Sequence, residues 1–182
     1  MEKINSSKFI FNRELFNIKE IYCISCDKFW DGGFEQGASL TEKSNFYYLA
    51  NQFSDIVKSI TNDLDECILI GHKFSEKECI FEKWKDLGKY DSFNNLKNYI
   101  NKKSSYKLVL PKDNEIIDYI IENNFRYFTS IDLYLPKNKV ILQPTCHSEV
   151  FVYSKNYDIL LPAFKAAINN RLGFYFKKGI FE

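Results

Sequence analysis

Glycine and proline are scarce in this chain, seven and four among 182 residues, and they do not gather into a linker. No Gly/Ser/Pro-rich or low-complexity tract marks a domain boundary, so one domain over residues 1–182 is expected. The only subdivision that the pattern suggests is a pair of halves, 1–104 and 105–182. No apolar run approaches the roughly 18 residues that cross a bilayer, so no membrane partner is expected. The opening Met1-Glu2-Lys3-Ile4-Asn5-Ser6-Ser7 lacks the apolar segment of a secretory signal, and a cytoplasmic location is the expectation. Charge of one sign is missing too: 25 basic and 24 acidic side chains leave a net +1. Nucleic-acid affinity rests largely on neutralised phosphates, so without an overall basic field nucleic acid is not expected as a partner. Five cysteines are an odd count that suits reduced thiols better than a paired disulfide framework. Only two histidines are available for acid–base work near neutral pH.

Hydrophobic residues make up 45% and charged residues 27%, which is ordinary globular composition. The aromatic content of 17%, from 17 Phe and 12 Tyr, is high, and codon bias of an A/T-rich genome accounts for it more simply than a binding platform. Helical periodicity is clearest over Glu42–Ile60. There Phe46, Leu49, Ala50, Phe53, Ile56, Val57 and Ile60 recur at spacings of three and four, with Thr41 as the expected N-cap. A second helix is expected over Asn114–Asn124, with Ile116, Ile117, Ile120 and Ile121 inward and Asp113 as its cap. A third is expected over Phe93–Asn101. A fourth, Ile159–Arg171, would turn Leu161, Phe164, Ala167 and Ile168 inward, with Pro162 tolerated in its first turn. Strands are expected at Glu20–Ser25, Glu66–His72, Glu78–Trp84, Tyr106–Leu110, Phe128–Leu135, Val140–Gln143 and Glu149–Tyr153, with a turn at Pro136-Lys137-Asn138. Together these predict an α+β domain with a mixed, largely antiparallel sheet, about four helices, and two β-α-β-β-α-like halves.

Several residues invite a chemical reading. Cys23-Ile24-Ser25-Cys26 is a CxxC, a spacing that chelates zinc or forms a redox pair. A structural zinc site needs four ligands, and Cys67, His72, Cys79, Cys146 and His147 supply no second close pair, so no metal is expected; were one bound, Cys23 and Cys26 would be the ligands. His147-Ser148-Glu149 matches the HxE of zinc deaminases, but no cysteine follows Glu149 to complete that site. Cys146-His147 suggests a thiolate–imidazole dyad, although neighbours on an extended segment point to opposite faces. If the chain were an enzyme, His72, Cys146, His147 and Glu149 would be its reactive groups; the simpler reading of Glu149 is a solvated strand edge. Phe29-Trp30-Asp31-Gly32-Gly33-Phe34-Glu35-Gln36-Gly37 holds three glycines among three aromatics and reads as a shaped loop, with Trp30, Asp31, Phe34 and Glu35 as candidate binding residues. It has neither GK[ST] nor GxGxxG, so it is no phosphate cradle, and no cofactor is expected.

Two resemblances add to this. Residues 106–135 run strand, Lys112-Asp113-Asn114, apolar helix, Asn123-Asn124-Phe125, strand, and resemble the later part of GCN5-related N-acetyltransferases. That family's acetyl-CoA loop should lie upstream, where Lys85-Asp86-Leu87-Gly88-Lys89-Tyr90 has a single glycine, so the likeness implies a related fold without acetyl-CoA. The chain as a whole, including Cys146-His147-Ser148-Glu149-Val150-Phe151-Val152-Tyr153 before a terminal helix, resembles small bacterial immunity proteins that neutralise toxins. This implies a protein-binding module whose partner is a cognate toxin. A degenerate acyltransferase-like enzyme and a phage or mobile-element accessory protein are the alternatives.

Overall fold

A computed structural model describes residues 21–25, 40–61, 66–75, 90–102, 107–146, 148–154, 157–169 and 174–177. The strands are β1 (Ile21–Ile24), β2 (Glu66–Phe74), β3 (Lys107–Val109), β4 (Thr129–Leu135), β5 (Val140–Pro144), β6 (Val150–Tyr153) and β7 (Phe174–Lys177). The helices are α1 (Leu40–Thr61), α2 (Asp91–Lys102), α3 (Asn114–Phe125) and α4 (Leu161–Asn169), the last entered through a 3-10 turn at Tyr157–Leu160. The expected α+β architecture is present. The sheet has the order β3-β2-β4-β5-β6-β1-β7 and every pairing is antiparallel. Strands from the two sequence halves interleave, β1 lying between β6 and β7 and β2 between β3 and β4. The expected strand at 78–84 lies outside the described residues, and β7 was not expected from the sequence.

One sheet face meets the helices. The inward row of each strand is aliphatic or aromatic, as the period of two requires: Tyr22 and Ile24, Cys67 and Leu69, Ile131, Leu133 and Leu135, Val140 and Leu142, Val150 and Val152. Against them lie the predicted stripes of α1, from Phe46 to Ile60, and of α3, Ile116 to Ile121, all buried. Each such side chain contributes about 1.5–3 kcal/mol through burial. Phe53 and Phe125 meet edge-on, with centroids 5.1 Å apart, where α1 crosses α3. The opposite face carries Ile21, Cys23, Ile68, Ile70 and Tyr134, also buried.

Three local expectations are corrected. Helix α1 begins at Leu40, so Thr41 lies within it and is not its N-cap. Asp113 holds the N-cap position of α3 as expected, but its side chain makes no cap bond; its Oδ2 instead accepts from the Val109 N–H at 2.9 Å, bracing the turn before the helix. Helix α4 turns its small side chains inward: Ala163 and Ala167 are fully buried, whereas Leu161 and Ile168 are exposed. Two alanines four residues apart make a flat stripe that lets α4 approach α1 closely, Phe164 packs partly buried against the core as expected, and Leu161 and Ile168 are left outside. Pro162 does sit in the first turn, as expected.

In β2 the register slips between the pairs Ile70↔Asp132 and Lys73↔Ser130, and Gly71 in this bulge has φ +73°. A Cβ placed there would meet the Ser130 carbonyl oxygen at 3.4 Å. Gly71→Ala should lower stability by about 1–2 kcal/mol through the left-handed backbone, measured by chemical denaturation. An unchanged midpoint would show that the bulge rearranges freely.

Candidate functional site

Register places the described catalytic candidates, the His72 backbone, Cys146 and Glu149, at one end of the sheet. Ile24 pairs with Val150 and Val150 with Pro144, so β1 and β5 end where β6 begins. Asp132 pairs with Ile70, which sets the bulge residues Gly71 and His72 beside Ile131 at that same level. The backbone at His72, the connection from Thr145 to Glu149, and Ser25, which leads on toward Cys26, therefore share this end. Trp30, Asp31, Phe34, Glu35, Cys26 and His147 lie outside the described residues, as does the His72 side chain.

The two describable members of the proposed catalytic set do not behave as the sequence suggested. Glu149 is not a solvated edge: it is 6% exposed. It precedes β6 in a connection closed by the Thr145 N–H donating to the Glu149 carbonyl at 2.8 Å, with Ser148 at φ 56°. Cys146 is half-buried. Strands stand about 4.8 Å apart, and β2 and β5 are separated by β4, so the His72 and Pro144 backbones lie about 10 Å from each other. The shared sheet end thus brings the described parts of the candidate set, Cys146, Glu149 and the His72 backbone, into one region.

Cys23 is buried on the face away from the helices, in register with Phe151, and Cys67 is buried on the helix side opposite Leu108. Burial pushes the Cys67 thiol up to about 12, which keeps it protonated and a poor nucleophile or metal ligand. Among the described residues, no group of three His, Cys, Asp or Glu side chains is placed to hold a metal ion.

Sequence reasoning overlooked a cation at the end of α3. The Arg126 side chain is fully buried, and its guanidinium lies 5.2 Å from the ring centres of both Phe46 and Tyr47 and 5.7 Å from that of Phe128. Its Nη2 donates to Glu122 Oε1 at 2.7 Å and to the Tyr47 hydroxyl. Ser92 on α2 donates to the same Glu122 oxygen at 2.7 Å, and Asn123 Nδ2 donates to Ser92 Oγ at 3.3 Å. A buried cation needs a counter-ion to offset desolvation, and Glu122 supplies it at Nη2, with the three aromatic rings around the guanidinium. Burial raises the Tyr47 phenol while the neighbouring Arg126 charge opposes that shift, so the hydroxyl remains a neutral acceptor for the guanidinium. The cluster welds α1, α2 and α3 together. Beside it Asn124 fixes the sheet to α3, its Nδ2 donating to the carbonyls of Ile131 and Pro144, each at 2.9 Å.

Directly after Arg126 the chain takes an unfavourable turn. The Tyr127 N–H donates to the Asn124 carbonyl and the Phe128 N–H to the Asn123 carbonyl, both at 2.9 Å, which is the Schellman closure of a helix. The residue that must adopt the left-handed conformation there is usually glycine; here it is Tyr127, at φ 64°. The residue is 62% exposed, and its side chain makes no hydrogen bond or ring contact among the described residues. Tyr127→Gly should raise stability by about 1 kcal/mol, seen as a higher denaturation midpoint. A fall in that midpoint would mean that the ring supports the fold.

On the far face, one row in from the same sheet end, Asp132 lies between Ile70 and Gln143, both its neighbours set by register. Gln143 Nε2 donates to Asp132 Oδ2 at 3.2 Å, and the Tyr153 hydroxyl donates to Gln143 Oε1 at 2.9 Å. Burial raises the Asp132 carboxyl to about 6 against a partial opposing effect of the Gln143 hydrogen bond. The sequence signal for it was an acid between Ile131 and Leu133 in a strand whose second half is apolar.

No protein-family model matches the chain, and no curated protein or solved structure is similar to it.

Proposed function

We propose that the chain is a non-catalytic protein-binding module, read most specifically as a toxin-neutralising immunity or inhibitor protein. The observation that carries this is Tyr127. Its backbone conformation costs stability, its side chain makes no hydrogen bond or ring contact among the described residues, and the residue before it, Arg126, is held in a buried cluster. An exposed aromatic on a rigid base is the kind of side chain that anchors protein interfaces, because little entropy is lost when it is covered. Leu161 and Ile168 on the outer face of α4, with Tyr48 on α1, add exposed apolar area of the sort that a partner covers.

The test is co-expression with the product of a neighbouring gene that is toxic alone. The reading expects the chain to restore growth and to co-purify with that product. It also expects Tyr127→Ala to weaken the complex at least about thirtyfold, the scale of a binding hot spot. Rescue that requires no physical complex, or the absence of any rescue by the wild-type chain, overturns it.

A further inference from the structure

At the junction of α1, α2 and α3 the space between the helices is shaped around one planar cation. The Arg126 guanidinium is fully buried, with the rings of Phe46, Tyr47 and Phe128 on its sides and Glu122 and the Tyr47 hydroxyl accepting from Nη2. These walls have contacts of their own. Ser92 Oγ donates to Glu122 Oε1 at 2.7 Å, which ties the carboxylate to α2. Phe46 meets Tyr47 edge-on with centroids 5.3 Å apart, and Phe93 braces Phe128 in the same way at 5.6 Å. The Glu122 side chain keeps 17% exposure and Tyr47 is half-buried, so the guanidinium lies one side chain from solvent.

We propose that this junction is a receptor for a small alkylguanidinium, filled in the native chain by its own Arg126, and that it takes the same group from solution once the covalent tether is cut. Arg126→Ala opens a cavity bounded by the three rings and leaves the Glu122 carboxylate without its counter-ion. Cavities made by truncating a side chain do bind molecules of matching shape. N-Methylguanidinium supplies the missing head and the last methylene, and the gap of one methylene accommodates contact with the alanine methyl. A guanidinium suits the site better than an ammonium does. It is planar and weakly hydrated, so its face lies on aromatic rings while its fork of donors reaches carboxylate and phenol together. A poorly solvated carboxylate that has lost its partner gains most from a ligand that restores the charge. The site is read through stability with no partner present, so it stands or falls independently of the function proposed from Tyr127.

The experiment is urea denaturation of Arg126→Ala at neutral pH with rising N-methylguanidinium chloride, ionic strength being held constant with sodium chloride. The expected result is a saturable stabilisation: at ten times the dissociation constant the ratio of folded to unfolded chain rises about elevenfold. The parent protein, whose site is filled, should show no saturable rise. N-Methylurea, of the same shape without the charge, should give none either. Ethylammonium, a point charge that cannot lie flat between the rings and span both acceptors, should bind at least about fivefold more weakly. Adding Glu122→Gln to Arg126→Ala keeps the shape and removes the counter-ion, and should weaken N-methylguanidinium at least about tenfold. If Arg126→Ala is unfolded without ligand, the same titration is followed as recovery of the near-ultraviolet circular dichroism of the aromatic cluster, against the same controls. No saturable response of Arg126→Ala in either readout overturns the proposal. So does an equal response from the parent protein, from N-methylurea or from ethylammonium, or an affinity that Glu122→Gln leaves unchanged.

Discussion

Replacing Arg126 by leucine is expected to cost about 3–5 kcal/mol, the largest single-site loss outside the hydrocarbon core. The guanidinium is fully buried and holds Glu122 at 2.7 Å. Its removal strands a mostly buried carboxylate, leaves the Tyr47 hydroxyl without its donor, and empties the space between Phe46, Tyr47 and Phe128. The partner experiment sharpens the cause. Arg126→Leu combined with Glu122→Leu should recover most of the loss, because a buried ion pair contributes little beyond what apolar side chains of similar volume would. Urea denaturation of the two single variants and the double variant measures this coupling. A double variant no better than the worse single one would show that shape, rather than uncompensated charge, dominates.

Asp132→Asn is expected to do the opposite and stabilise the protein by about 3 kcal/mol at pH 8. The folded carboxyl titrates at about 6 instead of 3.8, and each unit of difference is worth about 1.4 kcal/mol. Below about pH 4 both folded and unfolded chains hold the proton and the residue is neutral in each. As pH rises through the interval to about 6 the unfolded chain releases its proton first, so stability falls, and the full penalty is present above that. The benefit of asparagine should therefore be complete at pH 8, shrink through pH 5, and vanish near pH 4. Denaturation midpoints at those three values decide the matter. An asparagine variant that is less stable at pH 8 would mean that the charged carboxylate has a favourable partner within the fold.

The elements were legible because periodicity survives in single sequences. The Phe46–Ile60 stripe and the Ile116–Ile121 stripe each pointed to the buried side that the structure shows. Helix α4 was misread because Leu161 and Ile168 outweigh alanine on any hydrophobicity scale, whereas the approach of α1 selects for small size. The groups now at the centre of the account were invisible for a different reason. Arg126 looks like a solvated helix end until the α1 aromatics fold over it. Asp132 acquires Gln143 and Tyr153 only through the registers of β4 with β5 and β5 with β6. Tyr127 carries no sequence mark at all, since its cost lies in a backbone angle. Conversely, of the thiols that drew attention first, Cys23 and Cys67 prove to be buried and Cys146 half-buried.

The claim that the chain acts through an anchor held against the interests of its own stability is tested most directly by measuring two quantities on Tyr127→Gly: unfolding free energy, and affinity for the co-purifying partner by calorimetry. The account predicts that they move in opposite directions, with stability gained and binding lost. A variant that binds as tightly as the parent, or that loses stability and binding together, contradicts it.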